Sequence, residues 1–198
     1  GMILAAGMGK RLRPLTLNCA KPAIPFLNSP LIDYSLELFS RLQVQEIVIN
    51  LHHAPETVMS AVSNYLDPTK RAPTPQVHFS FEETILGTAG GIGKVRHLLQ
   101  GNDIVVSNGK IYFEQDLTEA LDFHRNSGAW VTMVLVPHSG KEPYNPVLMN
   151  EAGLITDFPL KSTVQDFAQA YVFTGVQILS DRVLDFIPDG VSDSVRDV

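Results

Sequence analysis

The sequence predicts an α/β fold with a mostly parallel sheet covered by helices on both faces. Two observations carry this. Short apolar or β-branched runs alternate with helical stretches through residue 136, which is the pattern of βαβ units. Beyond that point the pattern shifts to strand-like pieces joined by short connections, which predicts antiparallel additions to the sheet or a small lid.

Residues 2–6 have the length and flanks of a buried strand. The strand breaks at Gly7-Met8-Gly9, where two glycines let the backbone turn sharply and expose its N–H groups. Lys10, Arg11, Arg13 and Lys21 follow. Residues 30–42 read as a helix with Leu31, Ser35, Leu38 and Leu42 on one face and Pro30 in its first turn. A β-branched strand over 46–50 leads to a helix over 55–66, with Val58, Val62 and Tyr65 at helical spacing. The proline-rich stretch 67–75 reads as a surface loop.

An alternating strand over 77–81 is followed by a loop over 82–87 and a glycine-rich helix over 88–99. Another strand, 103–107, ends at Asn108-Gly109. Asp116-Leu117-Thr118-Glu119 has capping-box spacing ahead of a helical stripe of Leu117, Ala120, Leu121 and His124. The last strand of the alternating series covers 131–136. Strand-like pieces then fall at 147–150, 154–158 and 170–179, and Ser180 can cap a final helix carrying Val183, Leu184 and Ile187. No internal repeat, low-complexity segment or linker divides the chain.

At 198 residues and 44% hydrophobic, the chain has enough apolar content for a single domain with a sizeable core. Its net charge of -6 argues against a nucleic-acid partner, so the basic cluster near the N-terminus is local and suits a small anionic ligand. The lone Cys19 excludes an internal disulfide and a multi-cysteine metal site, and fits a reducing compartment. No apolar run spans a bilayer, and Met2 leads directly into the first strand without a signal-peptide pattern. Gly1 reads as a tag remnant, and the expectation is a soluble, cytoplasmic protein with no membrane partner.

A glycine turn with clustered Lys and Arg offers what a polyphosphate needs: amide donors, fixed positive charge and close approach. A dinucleotide-binding fingerprint fails, because its third glycine falls on Leu12 and Pro14 breaks any helix there. A phosphate-binding Walker loop fails as well, since Gly9-Lys10 is followed by Arg11 rather than Ser or Thr. Taken singly, Gly7 and Gly9 also read as an ordinary turn, and Lys10 and Arg13 as a solvated face. His52 and His53 read as structural rather than as a metal pair, because adjacent residues at a strand end point oppositely. Phe79 and Phe81 read as core.

What remains is a long loop over the C-terminal end of the first strand, the edge at which open α/β sheets hold ligands. Leu4-Ala-Ala-Gly-Met-Gly-Lys-Arg-Leu-Arg-Pro-Leu-Thr16 with Lys21-Pro-Ala-Ile-Pro25 resembles the signature of the sugar-1-phosphate nucleotidyltransferases. Glu82-Glu-Thr-Ile-Leu-Gly-Thr-Ala-Gly90 is similar to that family's base-recognition loop, and weaker similarity covers 171–175 and 192–197. The resemblance implies a Rossmann-like three-layer α/β/α fold with a mostly parallel mixed sheet. It implies one catalytic domain over 1–198, with a nucleotide-binding half (1–136) and a sugar-binding half (137–198). The chain also stops short of the usual family length, which implies a C-terminal truncation.

The implied reaction joins an NTP to a sugar-1-phosphate, giving an NDP-sugar and pyrophosphate. By resemblance, Arg11 and Lys21 are catalytic, Arg11 holding the β- and γ-phosphates and Lys21 bridging the reacting ones. Leu4, Ala6, Gly7, Gly9, Glu82, Gly87 and Asn108 bind the nucleotide, with Glu82 at the base and Gly87 letting the base approach. Lys161 and Gly175 belong to the sugar-phosphate site, and Mg²⁺ is the implied cofactor. The sequence departs from the pattern at three places. Lys110 stands where the family has a metal-binding Asp, Asn145 replaces a glycine, and Leu160 replaces a glutamate. An ammonium cannot ligate a metal. Two alternatives therefore stand beside transfer: a nucleotide-binding regulatory homologue without turnover, and a phosphocholine-type cytidylyltransferase, which shares the first motif.

Overall fold

The computed structural model describes residues 1–69 and 75–194. In chain order the elements are β1 (Met2–Leu4), a hairpin of β2 (Pro25–Phe26) and β3 (Ser29–Pro30), α1 (Leu31–Arg41), β4 (Glu46–Leu51), α2 (Pro55–Tyr65) and β5 (Gln76–Phe81). They continue with α3 (Gly87–Lys94), α4 (Arg96–Leu99), β6 (Ile104–Asn108), α5 (Thr118–Ser127), β7 (Val131–Pro137), β8 (Val147–Met149), β9 (Ile155–Asp157) and β10 (Ala170–Leu179). Internal packing divides the chain into two compact units. The first comprises Gly1–Thr132 with the segment from Gln177 onward, and the second Met133–Val176.

In the first unit β5, β4, β1 and β6 lie side by side and all pair in parallel. Met2 sits level with Val48 and Val106, and Leu4 with Asn50 and Asn108. This register sorts the side chains by face, because alternate residues of a strand point to opposite sides. Met2, Val48 and Val106 pack with Ala89, Ile92 and Leu99 of the α3–α4 layer, together with Leu184 and Ile187. Ile3, Ile49 and Ser107 face the other way, where the Ser107 hydroxyl lies 3.1 Å from the Ser35 hydroxyl of α1. Helices thus cover both faces, as the alternation predicts. Each fully buried Ile, Leu or Met contributes about 1.5–3 kcal/mol.

The second unit is antiparallel. Within it β8 pairs with β10 through Leu148 and Ala170, and with β9 through Leu148 and Asp157. The His138 N–H donates to the Ala170 carbonyl at 2.9 Å, placing β7 beside β10 as well. No helix among the described residues is long and apolar enough to cross a membrane.

Several local expectations change. The glycine-rich helix is interrupted at Val95, leaving α3 and α4. The deepest line of α1 is Ile32, Leu36 and Phe39, whereas Leu31 and Leu42 are only half-buried. No capping box forms at α5: the Asp116 carboxylate instead accepts from the Thr118 amide at 2.9 Å and hydroxyl at 2.7 Å. The last helix is a 3₁₀ segment, Asp181–Phe186, capped by the Ser180 hydroxyl as the sequence suggests. Phe81 is 52% exposed and Phe79 only half-buried, so this pair is not core. Both lie on β5, which ends the row of parallel strands and has one flank without a described strand beside it. Parts of the 67–75 loop and of the 192–197 similarity lie outside the described residues.

Candidate functional site

The candidate site begins where β1 ends. Gly9 adopts a left-handed conformation at φ +61°, and a Cβ there would lie 2.9 Å from the Thr16 methyl and 3.2 Å from Lys21 Cβ. Only glycine combines that turn with so close an approach. A short 3₁₀ turn, Lys10–Leu12, follows, and another covers Lys21–Ala23. Between them the loop is tied down from within and from α2. The buried Thr16 hydroxyl donates to the Gly9 carbonyl at 2.9 Å, and the Ala20 amide donates to the Thr57 hydroxyl at 3.1 Å. The His53 ring lies 2.7 Å from the Thr16 carbonyl, whereas His52 bonds the Glu82 carbonyl at 2.8 Å. The two imidazoles therefore serve different backbone carbonyls, as the structural reading of this pair expects.

Past β1, the Ala5 amide donates to the Asn50 side-chain oxygen at 2.7 Å, and the Asn50 amide group donates to Glu82 Oε1 at 2.7 Å. The other oxygen of the buried Glu82 carboxylate accepts from the Leu86 amide at 2.9 Å. A Cβ on Gly91 would lie 2.7 Å from the Asn50 amide nitrogen and 3.0 Å from Glu82 Oε1, so α3 rests directly on this pair. At Gly87, φ is +80° and a Cβ would fall 2.3 Å from the Ser192 carbonyl oxygen. That oxygen also accepts from the Ala89 and Gly90 amides at 3.1 and 3.2 Å. The close approach at Gly87 is thus made by the chain's own backbone.

A cavity of about 270 Å³ opens at the end of β1, lined among others by Leu4, Gly7, Gly9, Lys10, Arg11, Lys21 and Lys110. Gly7 faces it with nothing within 4 Å of where a Cβ would stand. Burial, then the Arg11 charge, lowers the Lys21 pKa. For Lys110 the causes are burial first, then Lys21, then Arg11. Lysines whose pKa is lowered by burial and by neighbouring cations, and that pair with no described carboxylate, create a positive field, which is an anion-binding arrangement. A larger cavity of about 430 Å³ lies at the opposite strand ends, beside Glu46, Asp103 and Arg125. It lacks both the glycine turn and the concentration of cations.

Of the residues singled out in the sequence, Leu4, Gly7, Gly9, Arg11, Lys21 and Lys110 share the smaller cavity. Ala6, Glu82, Gly87 and Asn108 do not line it, although Asn108 stands level with Leu4 at the strand ends. Lys161 and Gly175 belong to the second unit. There the Lys161 ammonium donates to the Glu142 carbonyl at 2.6 Å, and its amide to the Asn145 side chain at 3.1 Å. Gly175 lies in β10 at φ +91°. Sequence reasoning missed Asn50, Thr16 and Thr57 as braces of the loop. The one available signal was Asn50, a polar side chain inside an otherwise apolar strand.

The sequence matches the nucleotidyl transferase family over residues 1–197. It is 34% identical over 202 residues to the UTP–glucose-1-phosphate uridylyltransferase of Synechocystis sp., covering 96% of this chain and 51% of that one. It is 31% identical over 190 residues to the probable mannose-1-phosphate guanylyltransferase 3 of Oryza sativa subsp. japonica, covering 94% and 51%. The chain thus spans about half the length of the curated relatives it matches. Among solved structures, a putative glucose-1-phosphate thymidylyltransferase from Bacillus anthracis, in complex with a sucrose, superposes with a TM-score of 0.78 at 20% identity. That match covers 94% of this chain and 73% of that one. A UDP-glucose pyrophosphorylase complexed with UDP-glucose gives 0.78 at 15% identity, covering 93% and 77%. At such identities the structural likeness bears on the fold alone.

Proposed function

The chain belongs to the nucleotidyl transferase family, and from that membership we propose that it transfers a nucleotidyl group from an NTP to a sugar-1-phosphate, releasing pyrophosphate. The observation that carries the proposal is the cavity in which Gly7 and Gly9 meet Arg11, Lys21 and Lys110. In this reading the acceptor's phosphate oxygen attacks the α-phosphorus in line, forming one P–O bond as the bond to the leaving pyrophosphate breaks. No protein nucleophile is needed, so positioning and charge neutralisation carry the catalysis. The Gly7 and Gly9 backbone cradles the triphosphate, Arg11 holds its β- and γ-phosphates, and Lys21 bridges the reacting groups. Glu82 and Gly87 serve the base side through the loop they hold in place, and Lys161 and Gly175 hold the sugar phosphate. The names of the relatives favour a glucose- or mannose-type acceptor.

Magnesium, implied by the resemblance, has no fitting donor set at this cavity among the described residues. No carboxylate or imidazole is among the residues lining the cavity, and an ammonium stands at the expected ligand position. No step is therefore assigned to a metal. That same observation favours a second reading, a nucleotide-binding homologue without turnover. Pyrophosphate release, measured with each NTP against a panel of sugar-1-phosphates, separates the two. Release with one pair supports transfer; nucleotide binding with no release from any pair overturns it in favour of the second reading.

A further inference from the structure

Every charged side chain among the lining residues of the cavity at the end of β1 is a cation. Lys10, Arg11, Lys21 and Lys110 line it, and no Asp, Glu or His does. Among the described residues, no three His, Cys, Asp or Glu side chains gather into a group able to hold a metal ion. Mg²⁺ takes oxygen ligands and is usually fixed to protein by carboxylates. The charge a metal would bring to a polyphosphate is already present on side chains. Arg supplies a planar fork that matches phosphate oxygens, and Lys a compact point charge. Lys110 is fixed at the exit of β6, where its amide donates to the Asn108 carbonyl at 2.7 Å. The adjacent Gly109 amide donates to the Leu4 carbonyl at 3.0 Å. A bound polyanion would relieve the repulsion that Lys110 meets from Lys21 and Arg11.

We propose that this chain binds the triphosphate of a nucleotide without a divalent cation, the Lys110 ammonium acting beside Arg11 and Lys21 as the neutralising charge a metal would otherwise bring. The proposal rests on the nucleotide-binding reading above and specifies its ionic requirement. Calorimetric titration of the chain with UTP, GTP, dTTP and ATP, each in excess EDTA and in excess Mg²⁺, tests it. At least one NTP binds in EDTA with a Kd no more than about threefold above its value in Mg²⁺. Lys110→Gln weakens the EDTA binding by about tenfold or more, the scale of one charged hydrogen bond. Lys110→Asp, with an unchanged circular dichroism spectrum, makes binding depend on Mg²⁺. Should that variant not fold, the Lys110→Gln result decides. Binding that needs Mg²⁺ in the unmodified chain overturns the proposal and leaves the nucleotide reading intact. EDTA binding unchanged in Lys110→Gln also overturns it. Failure of every nucleotide to bind in either condition overturns both readings.

Discussion

The loop after β1 and the loop after β5 leave the C-terminal edge of the same parallel sheet, yet they hold their charges in opposite ways. Beside the first, Arg11 and Lys21 of that loop and Lys110 from the exit of β6 form no ion pair with any described residue, and burial followed by neighbouring positive charge lowers the pKa of Lys21 and of Lys110. In the second, the Glu82 carboxylate is buried, with one oxygen on Asn50 and the other on the Leu86 amide. An isolated charge cluster facing a cavity raises folding cost and is useful when a counter-charged ligand arrives. A saturated buried carboxylate holds the backbone in place. The contrast teaches that the two most recognisable blocks of the sequence make separable contributions: the first loop supplies charge, and the second holds α3, β4 and the end of β1 in register.

That separation can be broken by mutation. Lys21→Ala should lower kcat by about 10²–10³, the effect of losing one charge-stabilising donor, while urea unfolding stays near the parent value. An unchanged kcat would remove Lys21 from the site. Glu82→Ala should behave in the opposite sense, destabilising the protein by about 1–3 kcal/mol because Asn50 and the Leu86 amide lose their buried acceptor. Equilibrium urea denaturation reads this directly, and an unchanged midpoint would show that the Glu82 brace contributes little.

The smallest effect sharpens the comparison most. Because the folded pKa of Lys110 lies below the ordinary lysine value, the unfolded chain binds more protons between those two values. The unliganded protein therefore gains stability as pH rises through that window and carries a penalty below it. Lys110→Gln removes the penalty at neutral pH and should raise Tm, by less than about 2 °C because the Lys110 side chain is exposed and solvent screens the repulsion. A lowered Tm would mean that Lys110 is held by favourable contacts rather than opposed by its neighbours.

Much of this architecture was legible in the sequence because it is local. The period-2 and period-3.6 patterns that placed β4, α2, β5 and β10 are properties of short windows, and the glycine turn with its cations is contiguous from Gly7 to Lys21. What was not legible depends on residues far apart in the chain. The break at Val95 leaves no mark in composition. The exposure of Phe81 follows from β5 ending the row of parallel strands, which its alternating pattern does not encode. The sequence around Gly87 resembles a base-recognition loop, yet the glycine's missing Cβ is accounted for by Ser192, more than a hundred residues away. Asn50 and Thr57 brace the first loop across gaps of 45 and 37 residues, through hydrogen bonds that no spacing rule anticipates. Lys110 was conspicuous as a departure from a motif, but its place beside Lys21 and Arg11 emerges only from the parallel register of β1 and β6.

In the proposed reaction the cavity at the end of β1 receives a nucleoside triphosphate. A crystal structure of the protein grown with a saturating NTP tests it most directly. Phosphate density is expected against the Gly7 and Gly9 amides, within hydrogen-bond reach of Arg11, Lys21 and Lys110. A nucleotide seated elsewhere, with this cavity holding no phosphate, would contradict it.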